Sequence, residues 1–201
     1  MTPKLDHQRL LAVWISNVTN PVLLVAISLV YLTNRYINDL DQVIQWSALG
    51  LSLIVVAPAV VYFIVNRHLA RKVDIDISNR ADRPLPLMLA SLGALIGGYL
   101  VGARIDQNSS LLLLNNTLVA MLLLLTIISF VWKISIHAST LTALVTLIVI
   151  FRGFDYVPLY LLVIPVAWAR LYLQQHTIAQ LVGGSLMGAV VTYATAVLLD
   201  R

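Results

Sequence analysis

Two histidines and two arginines interrupt the apolar runs of this chain at points where they could act on an anion. They are His137 in 132-WKISIHAS-139, Arg170 and His176 in 165-PVAWARLYLQQHTIAQLVGG-184, and Arg83, ahead of Pro84, in 66-NRHLARKVDIDISNRADRPLPL-87. Imidazole changes charge near neutral pH, so one histidine can serve as nucleophile, acid or base. Guanidinium forks match phosphate oxygens in bidentate fashion. Arg83 sits at the start of a span, where a cation reaches lipid headgroup phosphate, and Pro84 fixes the local backbone. Lys72, Arg80 and Lys133 add cations to the same stretches, and Ser135 adds a hydroxyl. No spacing of His with carboxylates suggests a metal centre, and the chain has no Cys to ligate zinc.

The elements that must position these residues follow from composition. Of 201 residues, 60% are hydrophobic and only 11% charged, which excludes an ordinary water-soluble domain and points to an integral membrane protein. The 13 Lys and Arg against 9 Asp and Glu are scattered, which suits a membrane surface and not a nucleic acid. Absence of Cys excludes a disulfide framework and a thiolate nucleophile. The start MTPKLDHQRL shows no signal-cleavage pattern. A hydrocarbon core about 30 Å thick needs about 20 helical residues. Runs of that kind occur at about 10–32, 43–65, 86–103, 111–132, 134–151, 156–173 and 177–199. Backbone groups in lipid must pair within their own segment, so these are helices. The expected fold is an all-α, polytopic transmembrane helical bundle of six to seven spans, with 1–201 as one domain.

Following the chain back and forth across the membrane places residues 66–86, 133–137 and 170–176 on one face. Lys4, Arg9, Arg67, Arg71, Lys72, Arg80, Arg83, Lys133 and Arg170 fall on that face, and Arg35, Arg104, Arg152 and Arg201 on the other. The positive-inside bias then puts the polar clusters on the cytoplasmic side of the cell membrane.

In order and spacing, Arg83-Pro84, Ser135-x-His137 and Arg170-x5-His176 resemble the three signature motifs of the type 2 phosphatidic acid phosphatase superfamily, membrane lipid phosphatases related to vanadium haloperoxidases. The resemblance covers about residues 72 to 184. It implies a metal-free, cofactor-free hydrolase in which His176 attacks phosphorus and His137 protonates the departing alkoxide, then activates water against the phosphohistidine. Arg83 and Arg170 would hold the phosphate and Ser135 would donate a hydrogen bond. Five motif positions depart: Asp76 stands where the family has Lys, Ile134 for Pro, Ile136 for Gly, Ala169 for Ser and Gln180 for Asp. Lys72, Arg80 or Lys133 would replace the missing Lys, with Lys133 preferred because it sits one turn before His137. Gln180 would orient His176 without supplying charge, unless Asp74, Asp76 or Asp82 does so.

Gly184 and Gly188 make a small-xxx-small face, suited to close packing inside the molecule or to a homodimer. Two other functions fit parts of the pattern. A non-catalytic relative would keep the fold and bind lipid phosphate. The stretch DIDISNRADRPLPL also resembles the Asp-rich loop of intramembrane prenyltransferases of the UbiA type, but the second Asp-rich motif and about two spans are missing. Phosphatidic acid, phosphatidylglycerol phosphate and polyprenyl phosphates all remain open as substrates.

Overall fold

A computed structural model describes residues 6–69, 79–103 and 110–199. Lys72, Asp74 and Asp76 lie outside the described residues. The fold is all-α: α1 His7–Val18, α2 Pro21–Tyr36, α3 Leu40–Leu51, α4 Ala57–His68, α5 Pro84–Gly102, α6 Ser110–Val131, α7 Ile136–Arg152, α8 Val163–Tyr172 and α9 Ile178–Leu198. Among the described residues, six helical stretches are long and apolar enough to cross a membrane: His7–Asn34, Leu40–His68, Arg80–Leu100, Leu111–Val131, Phe154–Tyr172 and Ile178–Leu198. The seventh, α7, has 17 residues. Large apolar side chains such as Ile127, Val131, Leu186 and Val190 are exposed along these stretches, as expected of surfaces solvated by lipid.

Prolines interrupt spans that read as continuous in sequence. Pro21 opens α2 after Asn20, whose side chain accepts from the Val22 N–H at 2.9 Å. Pro58 follows a π turn at Ser52–Val56. Within that turn the Ala57 N–H donates to the Ser52 carbonyl, and Pro58 has no N–H for the carbonyls behind it. Phe154–Leu162, containing Pro158, is a 3-10 helix that leads into α8.

The chain groups into two compact units. One comprises Met1–Leu24 and Ile134–Val190, the other Val25–Lys133 and Val191–Arg201.

In the second unit, α5 and α6 pack along their lengths, and Ile54, Ala90 and Ala94 form a core with Leu118 and Leu122. Gly93 meets the π turn directly: a Cβ there would collide with the Leu53 carbonyl oxygen. The glycine thus lets the α5 backbone cover a carbonyl next to the proline break, where lipid could not solvate it.

In the first unit, α7 leads away from Ser135 and ends at Gly153, whose φ of 100° reverses the chain. The 3-10 segment and α8 return along α7. Leu141 and Val145 of α7 pack with Val166 of α8 and with Leu24, and the Thr146 hydroxyl meets the Tyr160 hydroxyl at 2.7 Å. Then α9 starts beside the beginning of α7. A Cβ on Gly184 would stand 2.6 Å from the Ser135 carbonyl oxygen, and one on Gly188 would collide with the Ser139 carbonyl oxygen. The small-residue face of α9 is therefore consumed by α7 of the same chain, and a homodimer through Gly184 and Gly188 would have to displace it.

Adding a methyl at these contacts forces backbone apart. Gly93→Ala and Gly188→Ala should each destabilise the protein by about 1–3 kcal/mol. Thermal unfolding in detergent should show a lower Tm by several degrees for each, while an alanine at exposed Leu186 on the lipid face of α9 should leave Tm nearly unchanged.

Candidate functional site

The Arg170-x5-His176 spacing is the geometry of a tight corner between two helices. Arg170 lies in the last turn of α8, and the Gln175 and Gln174 N–H groups return to the Arg170 and Leu171 carbonyls at 3.0 and 2.9 Å. This is a Schellman closure, and its left-handed position is Gln174, with φ 53°. Two residues further on the next helix is ready to begin.

It begins with a reciprocal capping box. The Thr177 hydroxyl accepts from the Gln180 N–H at 3.4 Å, and the Gln180 side-chain oxygen accepts from the Thr177 N–H at 3.2 Å. The same Gln180 Oε1 stands 3.1 Å from His176 Nδ1. Because a backbone N–H points at it, that atom must be the amide oxygen and not the nitrogen. An oxygen acceptor requires Nδ1 to carry its proton, which leaves the lone pair on Nε2. His176 itself is buried, at 7% exposure. The expected His176–Gln180 contact is present, but it arises differently from a shared helix face: His176 precedes the helix, and the capping side chain reaches back to it.

Ser135 is the N-cap of α7, fully buried, with its Oγ accepting from the Ala138 N–H at 3.3 Å. Its own N–H donates to the Gln180 carbonyl at 3.2 Å, which stitches the start of α7 to the first turn of α9. His137 is the second residue of α7 and half-buried. Two helix N-termini, one bearing His137 and the other preceded by His176, thus lie side by side at the end of the unit where α8 delivers Arg170. The partial positive charge at the start of a helix favours an anion.

Arg170 is half-buried, and its Nη1 donates to the Ser16 hydroxyl of α1 at 2.7 Å. A second tie joins the same two helices. The Tyr172 hydroxyl donates to the Asp6 carboxylate at 2.9 Å, and Asp6 also caps α1 through the Gln8 and Arg9 N–H groups. The Tyr172 hydroxyl foremost, then the Arg9 N–H, holds the Asp6 carboxyl below its ordinary value of 3.8. An open concavity of about 360 Å³ beside this tie is lined by Arg9, Tyr172, Leu173 and Gln174.

Four further cations were expected to contribute. Arg83, Arg80 and Lys133 are part of the second unit, and Lys72 lies outside the described residues. Arg83 is buried, at 3% exposure, and its carbonyl accepts from Leu87 as Pro84 opens α5. Arg80 donates from Nη1 to the Phe130 carbonyl at 2.9 Å and so caps the C-terminal end of α6. The expectation that Lys133 lies one helical turn before His137 is corrected. Residues 132–135 are not helical, because Ser135 caps a helix that starts at Ile136, so the two share no helix face.

Neither Ser16 nor Thr177 was singled out by motif spacing. Thr177-x-x-Gln180 is a capping-box string and was legible, whereas Ser16 lies 154 residues from its partner and carried no local signal. No family model, curated protein or solved structure matches this chain.

The Asp6 tie has a pH signature. A depressed carboxyl stabilises the fold above its unfolded value near 3.8 and loses that contribution as pH falls through the folded value. Thermal stability should therefore be insensitive to this group between pH 7 and about 5 and should decline below about 4. Part of that decline should be missing in Tyr172→Phe, which removes the main cause of the shift; the measurement is Tm against pH in detergent.

Proposed function

We propose that the chain is a membrane-embedded lipid phosphate phosphatase acting through a phosphohistidine. The single observation that supports this best is the Gln180 Oε1 contact at His176 Nδ1, which fixes the tautomer with a nucleophilic Nε2. His176 Nε2 forms the bond to phosphorus as the ester P–O bond breaks, and the His137 imidazolium delivers its proton to the departing alkoxide. Water then attacks the phosphohistidine, His137 takes its proton, and the N–P bond breaks to release inorganic phosphate. Arg170 neutralises the phosphoryl oxygens, aided by the starts of α7 and α9. Arg83 joins this set on the resemblance alone. The substrate is a phosphomonoester or diphosphate of a lipid, presented from the cytoplasmic leaflet.

A neutral Gln in place of an orienting carboxylate has a specific cost. In hydrolytic triads, replacing the carboxylate by its amide lowers the rate about 10⁴-fold, largely because the wrong imidazole tautomer results. Here the capping N–H holds the amide oxygen toward His176, so the tautomer is correct and only the charge is missing.

The test is release of phosphate in detergent from phosphatidic acid, phosphatidylglycerol phosphate and polyprenyl phosphates. Wild type should be active on at least one, with a bell-shaped pH profile near neutrality. Protonation of the nucleophile limits the acid side, and loss of the donor proton the alkaline side. His176→Ala should abolish release, and a rate that climbs steadily to pH 10 contradicts the two-histidine scheme.

A second experiment exploits the capping box, which accepts Glu as well as Gln. Gln180→Glu should keep the cap and add the charge that stabilises the imidazolium formed during attack, raising kcat about tenfold. The gain should vanish in Gln180→Glu combined with His176→Ala. A folded Gln180→Glu protein with unchanged or lower kcat would mean that Gln180 serves only to cap α9. That outcome favours the alternative of a non-catalytic lipid-phosphate-binding relative if wild type is also inactive on every lipid tested.

A further inference from the structure

We propose that Ser16 is a positioning residue for the phosphate-binding Arg170, which makes the N-terminal helix α1 part of the anion site. The inference rests on the phosphatase reading for the role of Arg170, and it adds a residue from a segment that the signature motifs do not reach. An arginine near a span end ordinarily extends its head along the shortest route to water, with its stem in lipid. Arg170 instead directs Nη1 to a serine that is itself buried, at 7% exposure, over 2.7 Å. That distance belongs to the short, charge-assisted class of hydrogen bond.

The chemistry of the guanidinium gives the contact its consequence. The group is planar and its five N–H donors are rigidly related, so anchoring one nitrogen fixes the direction of every other donor. A flexible four-bond stem is thereby converted into a preset fork, and the ordering cost is met before the anion arrives. The Tyr172–Asp6 bond holds the same turn of α8 against the start of α1, so the helix carrying Ser16 is held to the helix carrying Arg170 at two places. Ser16 does not touch substrate. It acts through Arg170, and its loss should weaken anion binding more than the chemical step.

The experiment uses the full chain in detergent, with short-chain phosphatidic acid as substrate and inorganic phosphate as a turnover-independent probe. Ser16→Ala should raise KM about tenfold, the equivalent of losing one charge-assisted hydrogen bond, and leave kcat within about threefold of wild type. Inorganic phosphate should raise the Tm of wild type and raise that of Ser16→Ala less. Ser16→Thr, which keeps the hydroxyl, should restore both readouts, and Ser16→Cys, a weak acceptor, should fall between; these two carry the comparison should the alanine protein fail to fold. A lower Tm with unchanged KM and unchanged phosphate stabilisation would show Ser16 to be merely structural and would overturn the proposal. A wild type that is stabilised by phosphate in a Ser16-dependent way but hydrolyses no lipid would sink the catalytic reading while upholding this one. A wild type with neither response would overturn both.

Discussion

The hydrocarbon core cannot solvate a backbone N–H or carbonyl, and that constraint governs where this chain can afford polarity. Within a helix every such group is paired, so the unpaired ones concentrate at ends and at proline breaks. Three such places have a local remedy: Asn20 ahead of Pro21, Gly93 laid on the Leu53 carbonyl near Pro58, and Arg80 on the Phe130 carbonyl at the end of α6. The candidate site is the same kind of place. It consists of the end of α8 and the starts of α7 and α9, where polar groups are required in any case.

This explains why single residues there carry two duties. Ser135 caps α7 with its side chain and ties α7 to α9 with its N–H. Gln180 caps α9 through Thr177 and meets the ring of His176 with the same oxygen. A structural cap alone would account for a Gln at this position. What it would not require is a buried imidazole on the far side of the shared acceptor. The close approach of α7 and α9, permitted by Gly184 and Gly188, keeps the two histidine-bearing helix starts together.

The electrostatics of the arrangement favour an anion held at a surface. One guanidinium and two helix N-termini supply positive potential at an end of the unit, and the side chain that meets His176 is a neutral amide. A neutral amide there, in place of a carboxylate, leaves that positive potential undiminished.

Composition and run length by themselves determined the all-α membrane class, the number of spans to within one, and the placement of Ser135, His137, Arg170 and His176 at span ends, because hydropathy is a property of local sequence and lipid admits few backbone solutions. The Arg170-x5-His176 spacing even encoded the corner, since a Schellman turn followed by a capped helix needs about that many residues. Tertiary structure alone decided that α7 occupies the glycine face, that Arg80 caps α6, and that Ser16 receives Arg170. Those outcomes depend on which helix lies against which. That is not fixed by the spacing of residues along the chain, because a contact 154 positions apart leaves no periodicity to read.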